Sequence, residues 1–247
     1  MDPRVEALKE RAWRETAAID AELAAGRVDE AGWHAAMAAL VAPAYLAGSS
    51  PYAQAGHSGD AASWEASRGF IARAIHRSGT FLDAGCASGI LMESVVRWGR
   101  HNGHDIEPFG VEIVPALAEL ARRRLPRWAD RIAVGNIRAW RPAAGGRFDF
   151  VLIRPEYAPK GRRADMVRHV LEHVLAPQGR LIVFAGTEEL GVRSAEAEVA
   201  AGGFTIHGRA ERIHPEHASL RRRLFWLTAA RARPSSARAR SAATGPG

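Results

Sequence analysis

The chain has 247 residues, of which 47% are apolar and 25% are charged, and its formal net charge is +7. No apolar run approaches the ~18–20 residues that a membrane span needs, so the composition indicates a soluble globular protein without a membrane partner. The single cysteine, Cys86, excludes an intrachain disulfide and a cysteine-rich metal site. The first residues carry acids where a signal peptide carries bases, and we therefore expect a cytoplasmic protein.

The positive charge is concentrated near the end of the chain. Four arginines lie in a segment of Pro, Ser, Ala and Gly, namely Arg231, Arg233, Arg238 and Arg240. Subtracting their charge from the net charge of +7 leaves +3 for the rest of the chain. Residues 230–247 lack apolar periodicity, which predicts a disordered basic tail. The charge therefore gives little support to a nucleic-acid partner.

Two helices are predicted at the start of the chain, within residues 1–47. Apolar residues recur at helical spacing over 4–25, and a second helix is expected to begin after Asp29 and to end near Pro43. These helices form either a lid, a homodimer surface or a layer packed on the main domain. Residues 48–59 are rich in Gly, Ser and Pro and predict a loop, after which Asp60 caps a helix.

The main domain is expected over residues 48–229. Short apolar runs predict strands at about 80–84, 108–113, 131–135, 148–153 and 180–185, and helical segments are expected at about 89–99, 115–125, 162–175 and 191–201. This alternation predicts a doubly wound α/β domain, in which helices cover both faces of a parallel sheet. The runs 204–213 and 220–228 have no helix between them, so an antiparallel hairpin should complete a seven-stranded, mostly parallel sheet.

A glycine-punctuated turn follows the first strand. Gly85 and Gly89 allow the backbone to approach a ligand closely, and the amides of the next helix point at the turn. Glu112 ends the following strand, at the sheet edge where ligands bind in such folds, and can accept hydrogen bonds from both ribose hydroxyls. The alternative to a ligand site is that Gly85 and Gly89 only form a tight turn and that Glu112 is a solvated acid. A nicotinamide or flavin site is disfavoured, because Ala87 and Ile90 replace glycines of the G-x-G-x-x-G pattern.

The spacing Asp83-x-Gly85-x-Ala87-x-Gly89 resembles the first motif of the class I S-adenosylmethionine-dependent methyltransferases and departs from it only at Ala87. The order of elements over 48–229, including the terminal hairpin, also fits that family. The resemblance implies a small-molecule-type enzyme that uses S-adenosylmethionine. Asp83 and the backbone from Gly85 to Gly89 would hold the methionine moiety, and Cys86 would be the small residue that such loops tolerate.

The same resemblance assigns the adenosine contacts. Glu112 would bind the ribose hydroxyls, and Ile113 would cover one face of adenine. Asn136, followed by Ile137, stands where the family often has an Asp that binds the adenine amino group. An amide both donates and accepts hydrogen bonds, so Asn136 can serve there.

The residues after the fourth strand face the substrate in this family. Arg154 and Glu156 depart from the Asn/Asp-Pro-Pro-Tyr/Phe pattern of enzymes that methylate base or glutamine amino groups, which disfavours that branch. Glu156 is a candidate general base, and Tyr157 a candidate contact of the substrate or the methyl donor. The alternative is a solvated acid and a packing aromatic residue.

The loop before the first strand lies where many family members fold a lid over the cofactor. Tyr52, His57 and Trp64 are candidate contacts of cofactor or substrate, and His57 is a second candidate base because imidazole titrates near neutral pH. A surface histidine is the alternative.

A competing motif belongs to another enzyme class. His169, Glu172 and His173 spell H-x-x-E-H, the inverted zinc-peptidase pattern. Its helix leads into a turn before the fifth strand that resembles the corresponding turn of the methyltransferases, so we expect a solvated helix face and no metal.

The leading hypothesis is methyl transfer from S-adenosylmethionine to an oxygen or nitrogen of a small-molecule acceptor. One alternative is an RNA methyltransferase that contacts phosphates through Arg221, Arg222, Arg223 and the tail. Another is a non-catalytic S-adenosylmethionine-binding protein, motivated by the departures at Ala87, Asn136 and Arg154.

Overall fold

The structure is a computed structural model that describes residues 3–189, 194–213 and 220–229. Within these residues, seven strands form one sheet: β1 Gly79–Ala84, β2 Ile106–Glu112, β3 Ile132–Val134, β4 Phe148–Ile153, β5 Leu175–Glu189, β6 Gly208–Ile213 and β7 Leu220–Thr228. Their order across the sheet is β3-β2-β1-β4-β5-β7-β6. The first five run parallel to one another, and β7 is antiparallel to both β5 and β6. The carboxyl ends of β1 to β4 therefore meet at one edge.

Helices flank this sheet. The α-helices are α1 Pro3–Ala24, α2 Glu30–Leu46, α3 Ala61–Arg68, α4 Ile90–His101, α5 Pro115–Arg124, α6 Arg163–His173 and α7 Ser194–Ala201. Alternate residues of a strand point to opposite faces of the sheet. Phe81 accordingly joins a buried cluster with residues of α3 and α4, while Leu82 joins another with residues of α6 and α7.

The expected seven-stranded, mostly parallel sheet with flanking helices is confirmed, with different element ends. The helix capped by Asp60 stops at Arg68 and continues as a 3₁₀ helix over Gly69–Ala74. The helix expected to end near Pro43 continues to Leu46, so the proline lies inside α2. The hairpin begins at Gly208 rather than at residue 204. At Gly208 an added Cβ would lie 2.1 Å from Cζ2 of Trp226.

Other expectations concern residues outside the described ranges, or boundaries between domains. The predicted tail over 230–247 and the start of the helix expected at 191 lie outside the described residues. The boundaries drawn at 47 and 229 remain predictions. Among the helices described in the three ranges above, none is both long and apolar enough to cross a bilayer.

Candidate active site

A cavity of about 290 Å³ lies at the carboxyl edge of the sheet. The residue directly after each of β1 to β4 lines it, namely Gly85, Ile113, Gly135 and Arg154. Residues of helices α2 and α3 also line the cavity. Ten of the twelve residues expected in a cofactor or catalytic site line this cavity: Asp83, Gly85, Cys86, Ala87, Glu112, Ile113, Asn136, Ile137, Glu156 and Tyr157.

The turn after β1 has three residues in the left-handed region. Gly85 has φ 70°, Ala87 has φ 46° and Gly89 has φ 72°. A Cβ on Gly85 would lie 2.4 Å from the hydroxyl oxygen of Tyr157, so the space there admits only glycine without movement of the tyrosine. Ala87 accepts a conformation that costs a residue with a Cβ ~1 kcal/mol. The Cys86 side chain is buried, and burial raises the pKa of its thiol well above the ordinary value.

Two buried carboxylates stand at the ends of β1 and β2. Asp83 is 3% exposed and Glu112 is 4% exposed. Glu112 accepts hydrogen bonds from the backbone N–H of Ala87 at 2.9 Å and of Val114 at 3.0 Å, which ties the glycine turn to the second strand. Burial raises the pKa of Glu112, because the charged form loses its hydration.

Asp83 is the more strongly perturbed acid. Burial, and then the nearby charge of Glu112, raises its pKa to about 8. Among the described residues no group hydrogen-bonds its carboxylate. An unpaired acid that lines a cavity in this way fits a cationic ligand group, since a positive charge stabilises the ionised form. The ammonium group of a methionine moiety is such a group.

Helix α2 supplies a further polar atom at the cavity wall. His34 is 8% exposed, and its Nε2, which lies 3.6 Å from Oε1 of Glu30, has no hydrogen-bond partner among the described residues. Burial lowers the pKa of His34, so the ring is neutral at pH 7. A buried ring nitrogen without a partner fits a ligand that donates or accepts a hydrogen bond. Together, Asp83, Glu112 and His34 fit an adenosine-containing amino acid such as S-adenosylmethionine.

The adenine side of the cavity follows β3. The Asn136 side-chain oxygen accepts a hydrogen bond from the backbone N–H of Arg138 at 3.0 Å, which leaves the amide N–H groups to donate elsewhere. Arg138 in turn donates to Glu30 of α2 at 2.6 Å. This ion pair fixes the start of α2 beside the loop after β3. Of the two isoleucines here, Ile113 is 37% exposed and Ile137 is 5% exposed.

The other side of the cavity follows β4. Arg154 forms an ion pair with Glu156, whose side chain is 47% exposed. Burial alone lowers the pKa of Arg154, but the Glu156 carboxylate and the nearby tyrosines raise it above its ordinary value. Burial raises the pKa of Tyr157 well above its ordinary value, so its hydroxyl is neutral and can donate.

Three of the residues expected to contact cofactor or substrate lie outside the cavity wall: His57, Gly89 and Tyr52. His57 Nε2 lies 2.9 Å from the Ser63 hydroxyl, and the ring packs edge-on against Trp64, which itself lines the cavity. Gly89 packs where an added Cβ would lie 2.6 Å from Leu125. Tyr52 packs against the Trp64 ring, at a centroid distance of 5.8 Å, and is likewise off the wall.

The structure also adds cavity residues that the sequence patterns did not single out. His34 and Tyr45 come from α2, and Arg68 ends α3. No spacing rule connects these residues to the glycine turn, because they reach it only through the packing of their helices.

The H-x-x-E-H residues on α6 lie away from this cavity. His169 Nε2 is 2.9 Å from the carbonyl oxygen of Trp140, and His173 Nε2 is 3.1 Å from the Arg141 guanidinium. Burial, together with Arg141, lowers the pKa of His173. Among the described residues, no group of three or more His, Cys, Asp or Glu side chains is arranged to hold a metal ion.

Comparison with known proteins gives one relative in sequence. Over 106 residues the chain is 35% identical to the 4-amino-L-phenylalanine/4-methylamino-L-phenylalanine methyltransferase of Streptomyces pristinaespiralis. The match covers 40% of this chain and 35% of the relative, so it spans about a third of that protein's length. No protein-family model matches the chain.

Solved structures give a likeness of fold. A chain in the complex of the Haloferax volcanii Trm112 methyltransferase activator with a protein assigned as a methyltransferase has a TM-score of 0.51 at 13% identity, over 69% of this chain and 90% of that one. The TehB-like S-adenosylmethionine-dependent methyltransferase of Corynebacterium glutamicum has a TM-score of 0.43 at 17% identity, over 62% of this chain and 85% of that one.

Proposed function

Because the chain has the class I S-adenosylmethionine-dependent methyltransferase fold, we propose that it binds S-adenosylmethionine and transfers its methyl group to an oxygen or nitrogen of a small molecule. The observation that carries this proposal is the pair of buried acids on neighbouring strands. Asp83 stands before the glycine turn, where the first motif of that family has its acid, and Glu112 ends the neighbouring strand at the same cavity.

The residues of the chain divide the cavity between two tasks. Glu112 and Asn136 lie at the ends of β2 and β3 and would bind the ribose and adenine, while Asp83 would bind the ammonium group of the methionine moiety. Bound S-adenosylmethionine supplies an electrophilic methyl group on a positively charged sulfur. Tyr157 lies against Gly85, where its neutral hydroxyl is placed to orient a ligand beside the glycine turn.

The acceptor would enter on the side of β4 and β5. An amine with a free lone pair needs no base, so holding it in line is the main contribution of the protein. For a hydroxyl acceptor, Glu156 is the carboxylate on this wall, although Arg154 already pairs with it. His57 is one layer further out, behind Trp64.

A small-molecule acceptor is supported by the sequence relative, which acts on 4-amino-L-phenylalanine. The RNA alternative has weaker support. Arg223 on β7 is 4% exposed, and its Nε lies 3.2 Å from Glu211, so the Arg221–Arg223 segment does not form an open row of phosphate contacts.

Methyl transfer can be tested directly. Purified protein is incubated with S-adenosylmethionine and a panel of aromatic amines and phenols that includes 4-amino-L-phenylalanine, and products are analysed by mass spectrometry. We expect one methylated product, and none with Gly85→Val, because the added side chain overlaps Tyr157. Tight S-adenosylmethionine binding without any product would favour the non-catalytic alternative. Methylation of RNA, with binding that falls steeply with salt, would favour the RNA alternative.

A further inference from the structure

A guanidinium without an ionic partner lines the acceptor side of the cavity. The Arg68 guanidinium carbon lies 4.6 Å from the centroid of the Phe184 ring and 5.4 Å from that of Trp64. All three residues line the cavity. Among the residues that the structure describes, no carboxylate lies within 4.0 Å of this guanidinium and no group accepts a hydrogen bond from it.

The neighbouring charges leave this side of the cavity positive. Arg154 also stacks on Phe184, at 5.4 Å, but Glu156 neutralises it. The charges of Arg68, Arg154 and Glu156 therefore sum to one positive charge. Burial, followed by the positive charges of Arg154 and Arg222, lowers the pKa of Arg68 to about 9, so it stays charged at neutral pH. A partly buried cation of this kind is costly unless a ligand pairs with it.

The position of Arg68 separates it from the adenosine contacts. Phe184 belongs to β5, which lies two strands from β1 in the sheet order. Glu112 ends β2 and Asn136 follows β3, and both strands lie on the other side of β1. The positive charge therefore lies at the end of the cavity opposite to the adenosine contacts, where an acceptor would enter.

We infer that Arg68 binds a carboxylate of the methyl acceptor, which makes the acceptor a carboxylate-bearing small molecule with an apolar body. This inference rests on the proposed function, because the bound molecule is a methyl acceptor only if the protein transfers a methyl group. The Trp64 and Phe184 rings beside the guanidinium shield it from water, which strengthens a charge-assisted hydrogen bond. The same rings provide the apolar surface on which the body of the molecule packs.

Matched pairs of probes test the carboxylate site by binding alone. Benzoate, phenylacetate and 3-phenylpropanoate are each compared with the corresponding primary amide, in the presence of saturating S-adenosylhomocysteine. We expect the wild-type protein to bind at least one carboxylate about tenfold more tightly than its amide, which is the effect of one charge-assisted hydrogen bond. Arg68→Gln should reduce this ratio to within about twofold. Arg73→Gln, an exposed arginine of the adjacent 3₁₀ helix, should leave it unchanged.

A second comparison excludes the carboxylate of the cofactor itself. S-adenosylhomocysteine has a methionine-type carboxylate and 5′-methylthioadenosine has none. If Arg68 served the cofactor, Arg68→Gln would weaken the first ligand and spare the second. We expect both affinities to change by less than about twofold, and a selective loss of the first would overturn the inference.

The remaining outcomes are also decisive. Equal binding of carboxylates and amides by the wild-type protein, or no binding of either, overturns the inference without any variant. If Arg68→Gln does not fold, Arg68→Lys keeps the charge and should keep a reduced preference. A carboxylate preference in a protein that methylates nothing would support the anion site and contradict the proposed reaction, so the two failures are distinguishable.

Discussion

Asp83 and Glu112 are both buried acids, but they differ in their hydrogen bonds. Glu112 already accepts two backbone hydrogen bonds, which hold the glycine turn in place. Asp83 has no such bonds among the described residues, and its pKa is raised to about 8. Glu112 is therefore part of the scaffold as well as a proposed ribose ligand, whereas Asp83 depends on a ligand for its charge.

Asp83 should lose a proton when the cofactor binds. At pH 7 an acid with a pKa of about 8 is mostly protonated, and an ammonium group in contact with it favours the ionised form. Calorimetry of S-adenosylhomocysteine binding in buffers of different ionisation enthalpy should detect release of about one proton at pH 7. Asp83→Asn should release none. Equal values for the two proteins would show that Asp83 does not meet the ligand charge.

The same acid predicts how stability depends on pH. Between pH 4 and about 8 the folded protein retains a proton on Asp83 that the unfolded chain has lost, so the free energy of unfolding falls as pH rises, by up to ~1.4 kcal/mol per unit. Asp83→Asn lacks this contribution. In urea denaturation, the stability of the variant relative to wild type should increase from pH 5 to 8, and a constant difference would contradict the raised pKa.

Part of the candidate site can be predicted from the sequence. Asp83, Gly85 and Glu112 follow from local spacing, because a glycine turn and the ends of adjacent parallel strands carry their own signals. His34 and Arg68 carry no such signal. Their place at the cavity is decided by how α2 and α3 pack, which depends on contacts distant in sequence.

Helix α2 lines part of the cavity and is tied to the elements around it. Its Trp33 donates to Asp20 of α1 at 2.9 Å, and its Glu30 pairs with Arg138 beyond β3. Trp33, His34 and Tyr45 line the cavity. These contacts support the lid among the roles expected for the first two helices, because a ligand in the cavity would pack against α2.

Hydrogen exchange tests whether α2 covers a bound ligand as a lid. S-adenosylhomocysteine at about 100 times its Kd stabilises the bound state by ~2.7 kcal/mol, so amide exchange along Glu30–Leu46 should slow by up to about 100-fold. Helix α7, Ser194–Ala201, does not line the cavity and serves as the internal reference. Protection of α7 alone, or none in α2, would show that α2 does not cover the ligand.

Element types were more predictable than element ends. The alternation of apolar runs and helical segments predicts the parallel strands correctly, because β1, β2 and β4 are mostly buried and read as apolar runs. The helix after Asp60 tightens into a 3₁₀ helix over Gly69–Ala74, and the apolar pattern does not indicate this change because buried apolar residues continue through it. The start of β5 at Leu175 was missed as well, because Pro177 and Gly179 indicate a turn there.

For the molecule as a whole, the sheet order separates two ends of one cavity. The proposed adenosine contacts lie with β3 and β2 on one side of β1, whereas Arg154 follows β4 and Phe184 belongs to β5 on the other side. The order of strands in the sheet was needed to see this separation. It places the proposed methyl transfer between the two ends, next to Asp83, Gly85 and Tyr157.

The most direct test is calorimetric titration with S-adenosylhomocysteine of the wild-type protein and of Glu112→Ala and Asn136→Ala. The fold and the two acids predict binding at one site per chain. Glu112→Ala should weaken it by about tenfold or more, because a buried carboxylate that meets two hydroxyls is lost, and Asn136→Ala should weaken it less. No binding by the wild-type protein, or a larger loss with Asn136→Ala, would contradict the assignment of the adenosine site.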